Sequence, residues 1–145
     1  MEEEDWEWSI FGPKLIDSLR GQLKVEHERL LVPACKDTKL SLRLFDEGFP
    51  YITSLVKSRE DLRNILVALN AGSWKGAKDM LWVVKDMKEV DGNNMYFAIV
   101  DKDIFRHLSN HDHDAIESYV REVTRLLRPR GSLFCFTPHL HSLVV

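Results

Sequence analysis

The turn Pro33-Ala34-Cys35-Lys36-Asp37 holds the first residues able to do chemistry. It interrupts an apolar run, Leu30-Leu31-Val32. A helical pattern of Leu40, Leu42, Leu44 and Phe45 follows, and Gly48 stops it. A second apolar run, Tyr51 to Val56, ends at Lys57-Ser58. Strand, tight turn, helix and strand in about thirty residues form a βαβ unit. In an open parallel sheet, the turn after the first strand is where a nucleotide-like ligand sits. Cys35 as a nucleophile needs a base and a depressed pKa; a buried structural thiol is the plainer reading. Asp86 and Asp101 close later apolar runs and, taken alone, read as strand-end acids on a solvated rim. His111-Asp112-His113-Asp114 sets two imidazoles two residues apart, a spacing that diverges on a helix. Together with His107, His139 and His141 it suggests a metal, but a polar loop and a helix cap explain the run, and no metal is expected.

The elements that position these residues follow from hydrophobic periodicity. Leu15, Ile16, Leu19 and Leu23 predict a helix over Phe11–Leu23, with Pro13 in its first turn. The first strand is predicted over Val25–Pro33, the first βαβ helix over 38–47 and the second strand over 51–56. Ser58 is placed to cap a helix whose apolar face is Leu62, Ile65, Leu66 and Leu69. Met80 to Val84 is the third strand and Tyr96 to Val100 the fourth, an apolar run typical of burial on both faces. A helix over Asp112–Leu127 turns Ile116, Tyr119, Val120, Val123, Leu126 and Leu127 inward, and Pro129-Arg130-Gly131 stops it. Leu133 to Thr137 is the fifth strand. Strands alternating with helices give a parallel sheet with right-handed crossovers.

Composition narrows the function classes. At 145 residues the chain is read as one domain, 10–145, behind an acidic tail over 1–9 that carries Trp6 and Trp8. A net charge of −3 and the lack of a basic stripe with interleaved aromatics argue against nucleic acid. No apolar run approaches the ~20 residues that span a bilayer, so no membrane is expected. Met1-Glu2-Glu3-Glu4-Asp5 lacks a signal-peptide pattern, and Cys35 and Cys135 read as reduced thiols, which suits the cytoplasm.

Leu31-Val32-Pro33-Ala34-Cys35-Lys36-Asp37-Thr38-Lys39-Leu40-Ser41 resembles the first motif of class I S-adenosylmethionine-dependent methyltransferases. It is most similar to the branch of elongation factor one-alpha lysine methyltransferases and their methyltransferase-like relatives, which reads L-V-P-G-C-G-N/D-S-x-L-S. Gly48-Phe49, Ile52-Thr53, Met80-Leu81-Trp82, Asp86-Met87, Val100-Asp101-Lys102 and Tyr119 to Gly131 continue the match in order. The resemblance implies an α/β fold: a Rossmann-like, open, mostly parallel five-stranded sheet in order 3-2-1-4-5, with helices on both faces. The family continues with two more strands. With the chain ending at Val145, the terminal pair is expected to be lacking and the domain truncated.

The resemblance also assigns the cofactor positions, at Pro33, Ala34, Cys35, Lys36, Val56, Asp86, Met87 and Asp101. Several depart from the family. Ala34 and Lys36 replace two glycines that let the donor approach bare backbone. Val56 stands where an acid holds the donor's ribose. Charge-assisted hydrogen bonds are worth about 1.5–3 kcal/mol each, so its loss weakens binding by roughly a hundredfold. Asp86-Met87 matches the acid-plus-apolar pair that holds adenine, and Asp101-Lys102 the fourth motif. The expected function is a methyltransferase-like domain with a degraded S-adenosylmethionine site, a non-catalytic interaction or structural module. The alternative is an active protein-lysine methyltransferase using Asp86, Met87 and Asp101. Leu133 to Thr137, apolar and uncharged, is expected to be an edge that pairs with a protein partner or a second copy, the alternative being that the tail Leu140 to Val145 folds back over it.

Overall fold

Alternation of side chains along four apolar strands sorts the core into two layers. In a computed structural model, which describes residues 3–22, 28–35, 38–71, 80–102, 104, 108 and 113–136, the strands are β1 (Leu30–Cys35), β2 (Ile52–Val56), β3 (Leu81–Val84), β4 (Tyr96–Lys102) and β5 (Leu127–Phe136). All pairings are parallel and the order is β3-β2-β1-β4-β5, the order the resemblance implies. The helices are α1 (Glu3–Gln22), α2 (Lys39–Asp46), α3 (Arg59–Ala71) and α4 (His113–Leu126), with a short 3-10 turn at Met87–Glu89.

Leu30, Val32, Ile52, Val56, Ala98 and Val100 pack with Leu15, Ile16 and Leu19 of α1, Leu40 and Leu44 of α2, and Ile65 of α3. Their neighbours Leu31, Leu55 and Ile99 pack on the other face, against Met87 and against Tyr119, Val123 and Leu126 of α4. This is the period-two rule of a sheet covered on both sides. Each such aliphatic side chain contributes roughly 1.5–3 kcal/mol when fully buried. A polar contact lies within the first layer: Ser41 Oγ and Ser54 Oγ are 2.7 Å apart, both buried, tying α2 to β2.

Several boundaries differ from expectation. The first helix begins at Glu3, not Phe11, so Pro13 lies inside it. β1 begins at Leu30, and residues 23–27, where part of it was expected, lie outside the described residues. Leu66 and Val120, expected inward, are 48% and 44% exposed, because each sits at the margin of its helix's buried stripe. The Ser58 cap is formed, with its Oγ accepting from Asp61 N at 3.1 Å.

Pro129-Arg130-Gly131 does more than stop α4. The helix ends at Leu126 and β5 starts at once, with Leu127 opposite Tyr96 and Ser132 opposite Ala98. The residues between are looped out as a bulge. Arg128 pins it, with its guanidinium 3.0 Å from Glu28 Oε2 and 6.0 Å from the Phe97 ring centroid. Arg130 adopts φ 70, a left-handed conformation that costs a residue with a Cβ about 1–2 kcal/mol. A Cβ on Gly131 would lie 2.8 Å from Phe97 O and 2.9 Å from Arg128 O, backbone atoms that cannot swing aside. Gly131→Ala is therefore expected to destabilise by about 2 kcal/mol or more, read as a lower urea midpoint. An unchanged midpoint would show that the bulge yields freely.

Candidate functional site

At the C-terminal ends of β1, β2 and β3 the chain leaves a cavity of about 810 Å³, within the size range of small-molecule pockets. It lies where the sheet order reverses between β1 and β4, the switch point of an open α/β sheet. Pro33, Ala34 and Cys35 form one wall, Leu55 and Lys57 the next, and Val84, Lys85, Asp86 and Met87 a third. Lys102, Ile104, Leu108, Tyr119 and Glu122 face them.

Ala34 adopts φ 56, the left-handed turn that glycine favours and that L-residues adopt at a cost. The backbone thus keeps at Ala34 the conformation for which the resembling family uses glycine. Lys36 lies outside the described residues. Cys35 is buried and its thiol donates to Val32 O at 3.3 Å, so it is held as a structural group.

Val56 does not line the cavity. It is 1% exposed and packed in the layer under α1, α2 and α3. The pleat explains this: Ile52, Ser54 and Val56 share one face of β2, so Leu55 and Lys57 take the other, toward the cavity. The charged residue presented to the site just after β2 is a lysine.

Asp86 and Met87 are both on the cavity wall. Asp86 caps the 3-10 turn, its Oδ1 accepting from Lys88 N at 3.2 Å, while Glu89 Oε1 accepts from Asp86 N at 3.0 Å. Arg125 of α4 fastens this segment in place. Its guanidinium donates to Met87 O at 3.0 Å, to Val90 O at 3.0 Å and to Gly92 O, and pairs with Glu122 at 2.7 Å.

Asp101 is placed differently from expectation. It is fully buried, where a solvated rim was the plain reading, and it is not among the cavity-lining residues. Its Oδ2 accepts from Tyr119 Oη at 2.8 Å and its Oδ1 from Ile104 N at 2.7 Å. Burial, and then the Asp101 charge, hold the Tyr119 hydroxyl well above the usual phenol range. Burial also pushes the Cys135 thiol up to about 11, with Asp101 adding to it. Cys135 therefore stays protonated at neutral pH and is a weak nucleophile.

Sequence reasoning passed over Lys57, Lys85, Lys88 and Arg125. For two of them a signal was present: Val56-Lys57 and Val84-Lys85 each put a lysine directly after an apolar strand. Arg125 has no such signal, since a lone arginine in a helix is ordinary. His107, His111, His139 and His141 lie outside the described residues. Among the described residues no metal-ligating group of three acids, histidines or cysteines occurs, and no helix is long and apolar enough to cross a membrane.

No protein-family model matches the chain. Solved structures do. A Methanococcus maripaludis protein described as an S-adenosyl-L-methionine-dependent methyltransferase matches with TM-score 0.69 and 14% identity, over 90% of this chain and 57% of that one. A protein of Pyrococcus horikoshii matches with TM-score 0.73 and 17% identity, over 94% and 59%. A Haloferax volcanii complex between the Trm112 methyltransferase activator and a protein described as a methyltransferase gives a TM-score of 0.63 at 18% identity, over 91% of this chain and 53% of the matched one. At such identities the likeness is one of fold. The chain has the Rossmann-like fold found in S-adenosylmethionine-dependent methyltransferases and spans 53–59% of the length of these matched chains.

Proposed function

We propose that this chain is a methyltransferase-like domain that does not hold S-adenosylmethionine and serves as a non-catalytic interaction module. The observation that carries this reading is at the end of β2. The resembling family needs a carboxylate there to bind the donor's ribose. Here Val56 faces the core and Lys57 faces the cavity. Neither supplies the acceptor, and an ammonium opposes the donor's positive sulfonium. The residues thus do not fit the donor. Of the cavity's carboxylates among the described residues, Asp86 and Glu89 each already accept from a backbone amide and Glu122 pairs with Arg125. Among the described residues no histidine lines the cavity. Millimolar S-adenosylmethionine is expected to give no thermal shift. A ligand at ~100 times its Kd would stabilise by ~2.7 kcal/mol, so binding would be plain. Micromolar affinity would overturn this reading. It would favour an active methyltransferase that binds through Asp86 and Met87, the reading that the cavity's size and those two residues on its wall support.

The proposed contact surface is the free side of β5. That strand pairs with β4 alone among the described residues and carries Leu133-Phe134-Cys135-Phe136 without charge or proline. Among the described residues no strand pairs with the outer side of 133–136, and a segment of this kind is a template for another strand. One structural neighbour is held in a complex with an activator protein, so the fold can act with a partner. Sedimentation equilibrium is expected to show a concentration-dependent dimer, with the second copy as the partner. A clean monomer at high micromolar concentration would remove self-pairing.

A further inference from the structure

The wall of the cavity carries four lysines, Lys57, Lys85, Lys88 and Lys102. Two of them are placed by the sheet itself. Val56 and Val84 are register partners on adjacent parallel strands, so Lys57 and Lys85 leave the sheet at the same level. Neighbouring strands lie ~4.8 Å apart, close enough for both ammonium groups to reach one phosphate chain. Lys88 follows on the 3-10 turn of the same wall. Among the described residues, the side chains of Lys57, Lys85 and Lys88 have no carboxylate partner.

Three acids also line the cavity, and each is turned to a partner of its own. Asp86 accepts from Lys88 N, Glu89 from Asp86 N, and Glu122 is held by Arg125. Lys57, Lys85 and Lys88 thus reach the space without a carboxylate partner, while Glu122 is neutralised by Arg125 and Asp86 and Glu89 are held by backbone amides. Beside them lies an apolar strip, Val84 and Met87, backed by the buried Leu55. A cavity with one apolar wall and a row of ammonium groups suits a ligand with a flat ring at one end and phosphates at the other. It does not suit a ligand whose reactive centre is a sulfonium.

We infer that this cavity binds an anionic nucleotide, its phosphates on Lys57, Lys85 and Lys88 and its base against Val84 and Met87. The inference rests on the reading that S-adenosylmethionine is not the ligand. It replaces an empty role with a chemical class: a nucleoside di- or triphosphate at the switch point of the sheet. The lysines reach in as mobile point charges, so the site recognises phosphate charge more than phosphate geometry. Affinity must then fall as salt rises.

The test is calorimetry on the full chain at low salt with ADP, adenosine, inorganic pyrophosphate and S-adenosylmethionine as separate titrants. ADP is expected to bind, with adenosine and pyrophosphate each roughly tenfold weaker or more, because each keeps only one half of the contacts. The variant Lys57→Gln with Lys85→Gln is expected to lose roughly tenfold in ADP affinity while its melting temperature stays put, since both side chains are exposed. No heat with millimolar ADP would overturn the inference; if S-adenosylmethionine is also silent, the non-catalytic reading stands without it. Donor binding with ADP silent would overturn both. ADP and donor both binding would overturn the reading and, with it, the inference that the lysines make this a phosphate site in place of a sulfonium one. Equal affinity for ADP and pyrophosphate would remove the base-binding half. ADP affinity indifferent to salt and to the double variant would overturn the assignment of the lysines.

Discussion

Val56→Asp is expected to cost about 3–5 kcal/mol of stability and to leave S-adenosylmethionine unbound. Aligning the chain with its resembling family suggests the opposite, since that substitution restores the family's acid. The pleat decides between them. Val56 is 1% exposed in a layer with Leu40, Leu44, Ile52 and Ile65, where a carboxylate meets neither water nor a cation. Burial there either leaves a desolvated charge or forces the acid to hold its proton. Against a typical total of about 5–15 kcal/mol, such a loss unfolds a sizeable fraction of the protein. Urea denaturation with a parallel donor titration reads both halves. A variant with the wild-type midpoint and micromolar donor affinity would mean that position 56 faces the cavity after all. Lys57→Asp is the control: its side chain is exposed, so the midpoint should move by no more than about 0.5 kcal/mol.

Asp101→Ala is expected to lower stability by about 3 kcal/mol or more, and Tyr119→Phe by about 2 kcal/mol. Asp101 ties the turn after β4, through Ile104 N, to α4, through Tyr119 Oη. Removing the acid strands a buried hydroxyl and a backbone N–H. Removing the hydroxyl strands a buried carboxylate oxygen. The pair also sets a pH dependence. Because the Tyr119 hydroxyl is raised in the folded state, its contribution is fully present below the ordinary phenol pKa of about 10 and is lost as pH rises beyond it. Cys135, raised to about 11 from an ordinary 9.0, acts in the same direction over that interval. Wild-type stability should therefore decline above pH ~9, and Tyr119→Phe should flatten the part above ~10. If Asp101→Ala instead melts normally, the acid has a role other than holding β4 to α4.

The sheet was legible because its signals are local and repeated. Leu30-Leu31-Val32, Ile52 to Val56, Met80 to Val84 and Tyr96 to Val100 are short apolar runs, each separated by turn residues or a helix. Their order came from the resemblance, which carried topology even though two glycines of its first motif are replaced. The site was harder to read, for reasons that differ by residue. A motif alignment gives the position of Val56 but not which side of the sheet it faces, and one residue of pleat exchanges core for cavity. Asp101 looked like a rim acid because sequence does not show that Tyr119, eighteen residues on, closes over it. Pro129 and Gly131 were read as a stop because both end helices; in fact they loop out of a strand that has already begun at Leu127. Lys57 and Lys85 gained meaning only once the Val56–Val84 register set them side by side.

The junction between α4 and β5 has no linker: Leu126 ends one and Leu127 begins the other. A loop normally insulates neighbouring elements, letting one fray while the other stays protected from solvent exchange. Here that insulation is missing. A helix whose final residue is also the doorstep of a strand cannot open its last turn without pulling Leu127 away from Tyr96. Amides in the end of α4 and the start of β5 should thus exchange as one cooperative unit. That unit also includes the Arg125 contacts that hold Met87 and Val90, so a fluctuation at this edge of the sheet reaches the mouth of the cavity.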